Sequence, residues 1–439
     1  MTIASGVHLK RLTVAADWLA VAVAASLPWS TSLTGILVPI WLAVLIPTME
    51  WRNLRAQLTT AVGGLPILLF LLGAVGVAWA DVSWRERLGG FDGFVRLLVL
   101  PILMAQFSRS ERGRCVLVAF LVSCTALLIA SFLVAVWPQL QLRERAIDGV
   151  PVKTYIVQSL EFVMCAAAVF EIGRIKASLR QWKSAAGFVV LGLAFLADIF
   201  FVSTGRTTLA VIPALVVVYG IWRAGWKGLI GASVMAAVLA PIVWFASPFV
   251  RERVTAVYTE TMGYERHHEE SSSGVRIEFW KKSLRFIATA PVLGHGTGSI
   301  VEQFARAEVG NGVSALPSSN PHNQTFAVGI QLGLVGIAVL WAMWISQLWL
   351  FRGSGSVMWV GLVVVTSNIV GSLFNSFIFD FTEGWIYVFG VGVLAGMVQR
   401  PPDAATAGRS DRSGFRGETV KQPGDQTGAN DERDRLHQG

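Results

Sequence analysis

Apolar residues form about twelve runs along the chain, and most runs are long enough to cross a bilayer as a helix, which takes about 20 residues. The runs lie near residues 12–27, 32–48, 61–80, 94–108, 115–137, 154–172, 184–203, 207–222, 228–246, 324–350, 357–378 and 384–399. The fourth and eighth runs are the shortest. The pattern predicts an all-α, polytopic integral membrane protein with about 12 transmembrane helices.

Two segments depart from this pattern. Residues 247–323 are long and mixed in polarity, whereas residues 400–439 are rich in Gly, Asp, Arg and Gln. The last segment cannot bury a core, so we expect a disordered cytoplasmic tail. The chain thus divides into an N-terminal transmembrane bundle of about nine helices (1–246), a partly helical periplasmic loop (247–323), C-terminal transmembrane helices (324–399) and the tail (400–439).

The composition excludes a soluble globular domain. Of 439 residues, 54% are hydrophobic and 15% are charged, against about 25% charged in soluble domains. Cys115, Cys124 and Cys165 lie in apolar runs without metal-ligand or disulfide spacing. They are therefore interpreted as packing residues.

The net charge of +8 comes from basic residues dispersed over short loops, which is typical of a membrane topology signal rather than of nucleic-acid binding. With the N-terminus inside, the inner loops carry Arg52, Arg55, Arg109, Arg112, Arg114, Arg174, Lys176, Arg180, Lys183, Arg223, Lys227 and Arg352. The outer short loops carry Arg85, Arg87, Arg96, Arg143, Arg145, Lys153 and Arg206. Both termini are thus predicted to be cytoplasmic. Topology does not account for the outer residues, which indicates an anionic partner.

The segment 271–287 of the outer loop is predicted to be a capped amphipathic helix. Its serines supply N-cap oxygens, and Trp280, Leu284 and Ile287 form an apolar stripe. Arg276 lies one turn before Trp280, near the positive end of the helix dipole. We expect Arg276 to form an anion site with the helix N-terminus. The alternatives are that its side chain is solvated or pairs with Glu278.

Residues 290–299 are Gly-rich but lack the strand, helix and lysine of a phosphate-binding loop. We interpret them as a structural turn, and His295 within them as a packing or hydrogen-bonding residue.

The segment 318–324 contains the sharpest local feature of the loop. Asn320 suits an N-cap and Pro321 the first helical position, so His322 is expected in the first turn. A helix N-terminus disfavours imidazolium, which keeps the ring neutral as a general base requires. The alternative is an interfacial polar residue that only caps the helix.

Arg206 and Asp380 are predicted at the outer surface. For Arg206, snorkelling to phosphate headgroups is the simpler explanation on local sequence alone. Asp380 is flanked by aromatic residues. We expect its carboxylate either to pair with an arginine or to cap the last helix.

Four elements together resemble the O-antigen ligase and polymerase superfamily. They are Arg276-x-x-x-Trp280, the pattern Pro291-x-x-Gly294-x-Gly296-x-Gly298, the triplet Pro321-His322-Asn323, and the run Gln331-Leu332-Gly333-Leu334-Val335-Gly336. The resemblance covers about residues 200–385. It extends to the number of spans and the position of the long loop.

The resemblance implies a C-type glycosyltransferase fold that moves a glycan from undecaprenyl pyrophosphate to an acceptor hydroxyl, without metal or cofactor and with inversion. By the same resemblance, His322 is the base, and Arg206 and Arg276 hold the pyrophosphate. Further phosphate contacts are expected from arginines that match no motif, namely Arg87, Arg96, Arg143 and Arg145. Asp380 and Asn323 are supporting residues.

Ligase, repeat-unit polymerase and protein O-oligosaccharyltransferase share these motifs. A second histidine closely flanking His322 would favour the protein-glycosylating branch, and no histidine adjoins it. We expect a ligase acting on lipid A–core at the bacterial inner membrane, with a polymerase as the alternative. A transporter or lipid flippase is the rival class, and it is expected to show internal repeats and discontinuous helices.

Overall fold

The computed structural model describes residues 2–141, 149–203, 205–267, 271–307 and 318–400, and within these ranges it contains helices and no strand. Short 3₁₀ helices occupy Ile46–Thr48, Arg96–Leu98 and Pro138–Leu140. The α-helices are α1 (Thr2–Ser26), α2 (Thr31–Leu45), α3 (Trp51–Leu58), α4 (Ala61–Gly76), α5 (Trp84–Val95), α6 (Val99–Phe107), α7 (Gly113–Val136), α8 (Tyr155–Ser178), α9 (Trp182–Phe201), α10 (Arg206–Ala246), α11 (Pro248–His267), α12 (Ser272–Thr289), α13 (Ile300–Arg306), α14 (Gln324–Leu350), α15 (Ser356–Ser372) and α16 (Phe381–Val398).

Each of the predicted apolar runs lies mainly on helices, which confirms the all-α, polytopic membrane class. Among the described helices, eight are long and apolar enough to cross a membrane. The pair α3–α4, bent by 84°, makes a ninth if it is one span, and α15 is apolar but shorter. The total of twelve spans stays a prediction. The predicted disordered tail falls on residues 401–439, outside the described residues.

Helix α10 contains two of the predicted runs. Its backbone leaves helical geometry at Ala224 and Gly225, where the φ angle of Gly225 is +55°. On either side of this break the two halves approach closely, since a Cβ on Gly220 would lie 2.4 Å from the carbonyl oxygen of Gly228. The break therefore falls between the predicted runs 207–222 and 228–246.

Two predicted boundaries are wrong. The fourth span begins at Trp84 rather than near residue 94. Helix α15 ends at Ser372 rather than near residue 378, and residues 373–380 form the α15–α16 loop. In this loop, side chains satisfy the backbone groups that a helix would have paired internally. Arg96 Nη1 donates to the carbonyl oxygens of Ile378 (3.2 Å), Phe379 (3.0 Å) and Asp380 (2.5 Å).

The Gly-rich turn docks on a break in α14. Gly333 has φ +62° and ψ −158°, which interrupts the helix. The turn binds there through main-chain bonds, from the Leu334 N–H to the Pro291 oxygen (2.7 Å) and from the His295 N–H to the Ile330 oxygen (2.8 Å). The interpretation of residues 290–299 as a structural turn is thus confirmed.

Side-chain contacts confirm two further interpretations. His295 Nε2 lies 2.9 Å from the Phe286 carbonyl oxygen and 3.1 Å from Thr289 Oγ1, so the ring has a hydrogen-bonding role at the end of α12. The three cysteines are free, and Cys124 and Cys165 are buried.

A second apolar core fastens the described part of the outer loop to the bundle. It is separate from the main core of the transmembrane helices, and it joins α12, α13 and α14 through Phe279, Phe286, Ile300, Phe304, Ala327 and Ile330. Thr297 extends this attachment to α4, because its Oγ1 donates to the Gly73 carbonyl oxygen at 2.6 Å. The middle of α12 is consequently held beside the first turns of α14.

Candidate functional site

His322 lies just before α14, not inside its first turn. The predicted helix start at Pro321 is wrong, because α14 begins at Gln324 and Asn323 is its N-cap, accepting from the Phe326 N–H at 3.1 Å. His322 instead adopts φ +53°. A residue with a Cβ takes this left-handed conformation only where its surroundings impose it, and such positions cluster at functional sites.

Two neighbours fix the backbone of His322 in this conformation. Its N–H donates to Asn320 Oδ1 at 2.8 Å. Its carbonyl oxygen accepts from the indole nitrogen of Trp280 at 3.4 Å. The histidine is therefore held between the segment 318–321 and helix α12.

The imidazole ring of His322 is also held in place. Its Nδ1 lies 3.1 Å from Asn375 Oδ1, and Asn375 Nδ2 donates to Asp380 Oδ2 at 2.6 Å. The ring is parallel to that of Phe279, with centroids 6.1 Å apart. Helix α12, the start of α14 and the α15–α16 loop thus meet at this side chain.

The pKa of His322 is lowered below its ordinary value of 6.5, chiefly by burial. The positive charge of Arg276 lowers it further, and the hydrogen bond to Asn375 opposes the shift. The ring is neutral near pH 7, as the sequence predicts. The physical cause, however, is desolvation and a neighbouring cation, and not a place in the first helical turn.

Arg276 lies in the second turn of α12, which begins where the sequence predicts it, with the Ser271 side chain accepting from the Gly274 N–H at 3.1 Å. Its Nη1 donates to Ser272 Oγ at 3.3 Å. Its Nε is buried without a hydrogen-bond partner among the described residues. The alternative of a pair with Glu278 is not observed, since that carboxylate accepts from the Tyr264 hydroxyl at 2.5 Å.

Arg206 binds a carboxylate that comes from α11. Its Nη2 and Nη1 donate to Glu260 Oε1 (2.6 Å) and Oε2 (2.8 Å), which is a bidentate pair. The same Oε2 accepts from the Ser273 N–H (2.9 Å) and Oγ (2.7 Å) at the start of α12. The bond from Arg206, followed by those from Ser273, lowers the pKa of Glu260 to about 2. The simpler explanation from local sequence, that Arg206 extends to lipid headgroups, is therefore not what the structure shows, because its guanidinium binds Glu260.

The arrangement around Glu260 is that of an oxyanion site. A guanidinium fork, a hydroxyl and a helix N-terminal N–H converge on one carboxylate, and phosphate oxygens are bound by the same groups. Arg276 adjoins this site, since its Nη1 donates to the side chain of Ser272, the residue before Ser273. The charge of Arg206 accordingly adds to burial in lowering the pKa of Arg276. The structure therefore brings together three of the residues predicted from sequence, namely Arg206, Arg276 and His322.

Two of the other predicted phosphate contacts, Arg96 and Arg87, bind main-chain carbonyl oxygens instead. Arg96 is buried, and it holds the α15–α16 loop through the three carbonyl oxygens given above. Its Nη2 lies 3.5 Å from Asp92. Because these donors are occupied, we assign Arg96 to the loop rather than to a phosphate. Arg87 similarly donates to the carbonyl oxygens of Val77 and Val82. Arg143 and Arg145 lie outside the described residues.

The supporting residues are both close to His322. Asn323 caps α14 and donates to the Leu373 carbonyl oxygen at 3.1 Å. Asp380 precedes α16 but makes no side-chain cap bond. Burial first, and then the charge of Glu383, raise its pKa to about 7, against the opposing effect of Arg96.

Glu260 and Asn375 are the candidate functional residues that the sequence patterns do not reveal. Glu260 is 54 positions from Arg206 in the chain, and nothing local marks it. Asn375 falls inside an apolar run that predicts a longer α15. Its one local signal is the polar pair Asn375-Ser376 within that run. Within the described part of the chain, no group of three His, Cys, Asp or Glu side chains is placed to hold a metal.

The fold and the site together define a polytopic helical membrane protein with a neutral histidine next to an arginine-lined oxyanion site. A family model described as O-antigen ligase matches residues 191–341, roughly a third of the chain. This match supports membership of the O-antigen ligase superfamily, whose members are glycosyltransferase-like enzymes. It confirms the resemblance seen in the motifs. No curated protein matches the chain.

Proposed function

We propose that the protein is an O-antigen ligase, which moves a glycan from undecaprenyl pyrophosphate to a hydroxyl of lipid A–core. The observation that carries the proposal is the cluster of His322, Arg276 and Arg206. A neutral base adjoins a cation with a buried, unpartnered N–H and a second cation that already binds an oxyanion. Glycosyl transfer from a pyrophosphate needs these two functions in one place.

In the proposed reaction, His322 Nε2 takes the proton of the acceptor hydroxyl as its oxygen attacks the anomeric carbon. The new carbon–oxygen bond forms as the bond from that carbon to the pyrophosphate oxygen breaks. Undecaprenyl pyrophosphate leaves with the electron pair, and Arg276 and Arg206 stabilise its developing charge. Attack opposite the leaving group inverts the anomeric carbon. Arginines supply the charge stabilisation, so the proposed mechanism needs no metal ion.

The site is proposed to face the periplasm of the bacterial inner membrane, with both termini in the cytoplasm. The basic residues of the short inner loops support this orientation. A lipid-linked donor presents its pyrophosphate at the membrane surface, which is where the starts of α10, α12 and α14 would then lie.

A repeat-unit polymerase is the closest alternative, because it needs the same donor site and the same base. A transporter would use a discontinuous helix to line a substrate cavity, and α14 is indeed interrupted at Gly333. The backbone groups at this break, however, bind the turn at Pro291 and His295. The interruption therefore serves to attach the outer loop, which favours the enzyme.

The base assignment is tested with His322→Ala in a strain that lacks the gene, followed by lipopolysaccharide gels. We expect loss of O-antigen laddering at normal protein abundance. His8→Ala is the matched control, since His8 is an exposed histidine on α1, and it should keep the ladder. A normal ladder with His322→Ala would refute the assignment.

The acceptor is tested by what the gene-deficient strain accumulates. A ligase defect leaves long glycan chains on the lipid carrier and bare lipid A–core. A polymerase defect instead leaves single repeats attached to the core. Accumulation of lipid A–core that carries a single repeat would favour the polymerase assignment over the ligase assignment.

A further inference from the structure

We propose that Asn375 is a positioning residue that keeps the proton of neutral His322 on Nδ1, so that Nε2 is the nitrogen presented to the acceptor hydroxyl. The proposal rests on the proposed role of His322 as the base. Asn375 belongs to none of the sequence motifs, and it acts through His322 rather than on a substrate.

The amide orientation of Asn375 is fixed from two sides. On one side, Asn320 Oδ1 accepts from the His322 N–H (2.8 Å) and from Ser376 Oγ (2.7 Å), so Asn320 Nδ2 must point at Asn375, whose Oδ1 it meets at 3.0 Å. On the other side, Asn375 Nδ2 donates to the Asp380 carboxylate at 2.6 Å. This contact agrees with the orientation that Asn320 imposes, because an unprotonated carboxyl oxygen accepts a hydrogen bond whether Asp380 is ionised or neutral.

This orientation determines the histidine tautomer. Asn375 turns its carbonyl oxygen toward His322 Nδ1, at 3.1 Å. Because an amide oxygen only accepts, Nδ1 must carry the hydrogen, and in a neutral imidazole the lone pair then lies on Nε2. Nε2 makes no hydrogen bond to the described residues. In the other tautomer, Nε2 would carry the hydrogen, and His322 would present an N–H group to the acceptor hydroxyl instead of a base.

The loop that carries Asn375 is held in turn by the transmembrane bundle. Arg96 binds the carbonyl oxygens of residues 378–380, and Gln324 Oε1 accepts from the Ile378 N–H at 2.9 Å. The charged groups facing His322 in the described structure are Arg276 on α12 and, beyond Asn375, Asp380 with Glu383 one turn further. Helix α14, which follows His322, carries no charged residue.

Two substitutions separate this role from a structural one. Asn375→Asp keeps an acceptor at Nδ1 and brings negative charge to it, which stabilises imidazolium. Asn375→Leu keeps the bulk and removes the acceptor. The double variant Asn375→Asp/Asp380→Asn moves the existing carboxylate one position toward the ring, and so avoids two adjacent charges.

The assay measures kcat and donor KM across pH with purified protein in lipid vesicles and a synthetic undecaprenyl-pyrophosphate glycan. In the native protein the acid limb of kcat should lie below pH 6.5, following the lowered pKa of His322. With Asn375→Asp, or with the double variant, it should rise by about one pH unit, the equivalent of about 1.4 kcal/mol. Asn375→Leu should lower kcat about 100-fold or more with donor KM unchanged within about threefold.

The outcomes distinguish this inference from the proposed function. If His322→Ala keeps its activity, the base assignment fails. If His322→Ala is inactive but neither carboxylate variant moves the acid limb, Asn375 does not control the tautomer of His322. Only the inference is then overturned, and the base assignment stands. An Asn375→Leu variant that raises KM as much as it lowers kcat would also overturn it, because a structural loop residue would act in that way.

Discussion

Replacing Glu260 by glutamine removes the one negative charge from the oxyanion site while keeping the size of the side chain. Arg206 and Ser273 together direct four hydrogen bonds at this carboxylate. A donor phosphate that uses the same groups must first displace it. We therefore expect Glu260→Gln to strengthen donor binding rather than to weaken it.

The magnitude follows from the acidity of Glu260. Its pKa is about 2, against an ordinary value of 4.5, which at 1.36 kcal/mol per pKa unit is about 3 kcal/mol in favour of the ionised side chain. The two side chains of the pair are 22% and 20% exposed, so water screening reduces this to about 1–2 kcal/mol. Because about 1.4 kcal/mol is tenfold in binding, the donor KM should fall by about five- to thirtyfold.

The assay is initial rate against donor concentration in vesicles, with kcat expected to change less than about twofold, since Glu260 contacts no reacting group in the proposed mechanism. Glu252→Gln is the control, because Glu252 is an exposed acid on the same helix. A donor KM that rises in Glu260→Gln would refute the reasoning. It would mean that Glu260 aligns Arg206 for the phosphate instead of competing with it.

Four further results are expected. The contribution of the Arg206–Glu260 pair to stability should be complete above about pH 4.5 and be lost as pH falls through about 2, which unfolding midpoints across pH can measure. Arg96→Leu should lower the free energy of unfolding by about 2–4 kcal/mol, because three carbonyl oxygens lose a charged donor; an unchanged denaturation midpoint would contradict this. Gly333→Ala should cost about 1–3 kcal/mol, since its Cβ would lie 2.3 Å from the Val292 oxygen, and protease resistance of the outer loop reports it. Ser319→Cys should react with a membrane-impermeant maleimide on intact inner-membrane spheroplasts and Ser178→Cys only after permeabilisation, and the reverse pattern would invert the proposed topology.

His322 and Arg276 could be identified from sequence because each sits in a local pattern, whereas Arg206 was predicted only by the family resemblance. The cap at Ser271 marks the start of α12 and so places Arg276 in its second turn. The Gly-rich turn and Gly333 both need conformations or close approaches that a Cβ forbids. Periodicity also gave the position of most helices, because a bilayer requires long apolar runs whatever their tertiary neighbours are.

The partners of those candidates depended on tertiary structure alone. Asn375 is 53 positions from His322 and Glu260 is 54 from Arg206, and no local pattern links such pairs. The end of α15 was misplaced for the same reason, since Arg96 pairs the carbonyl oxygens of an apolar segment that would otherwise continue as helix. Sequence by itself determined a helical membrane protein, and its resemblance to the O-antigen ligase superfamily predicted a histidine and two arginines for glycosyl transfer. Folding decided which nitrogen of that histidine is free and which arginine already holds an anion, because hydrogen bonds depend on distances that only packed helices define.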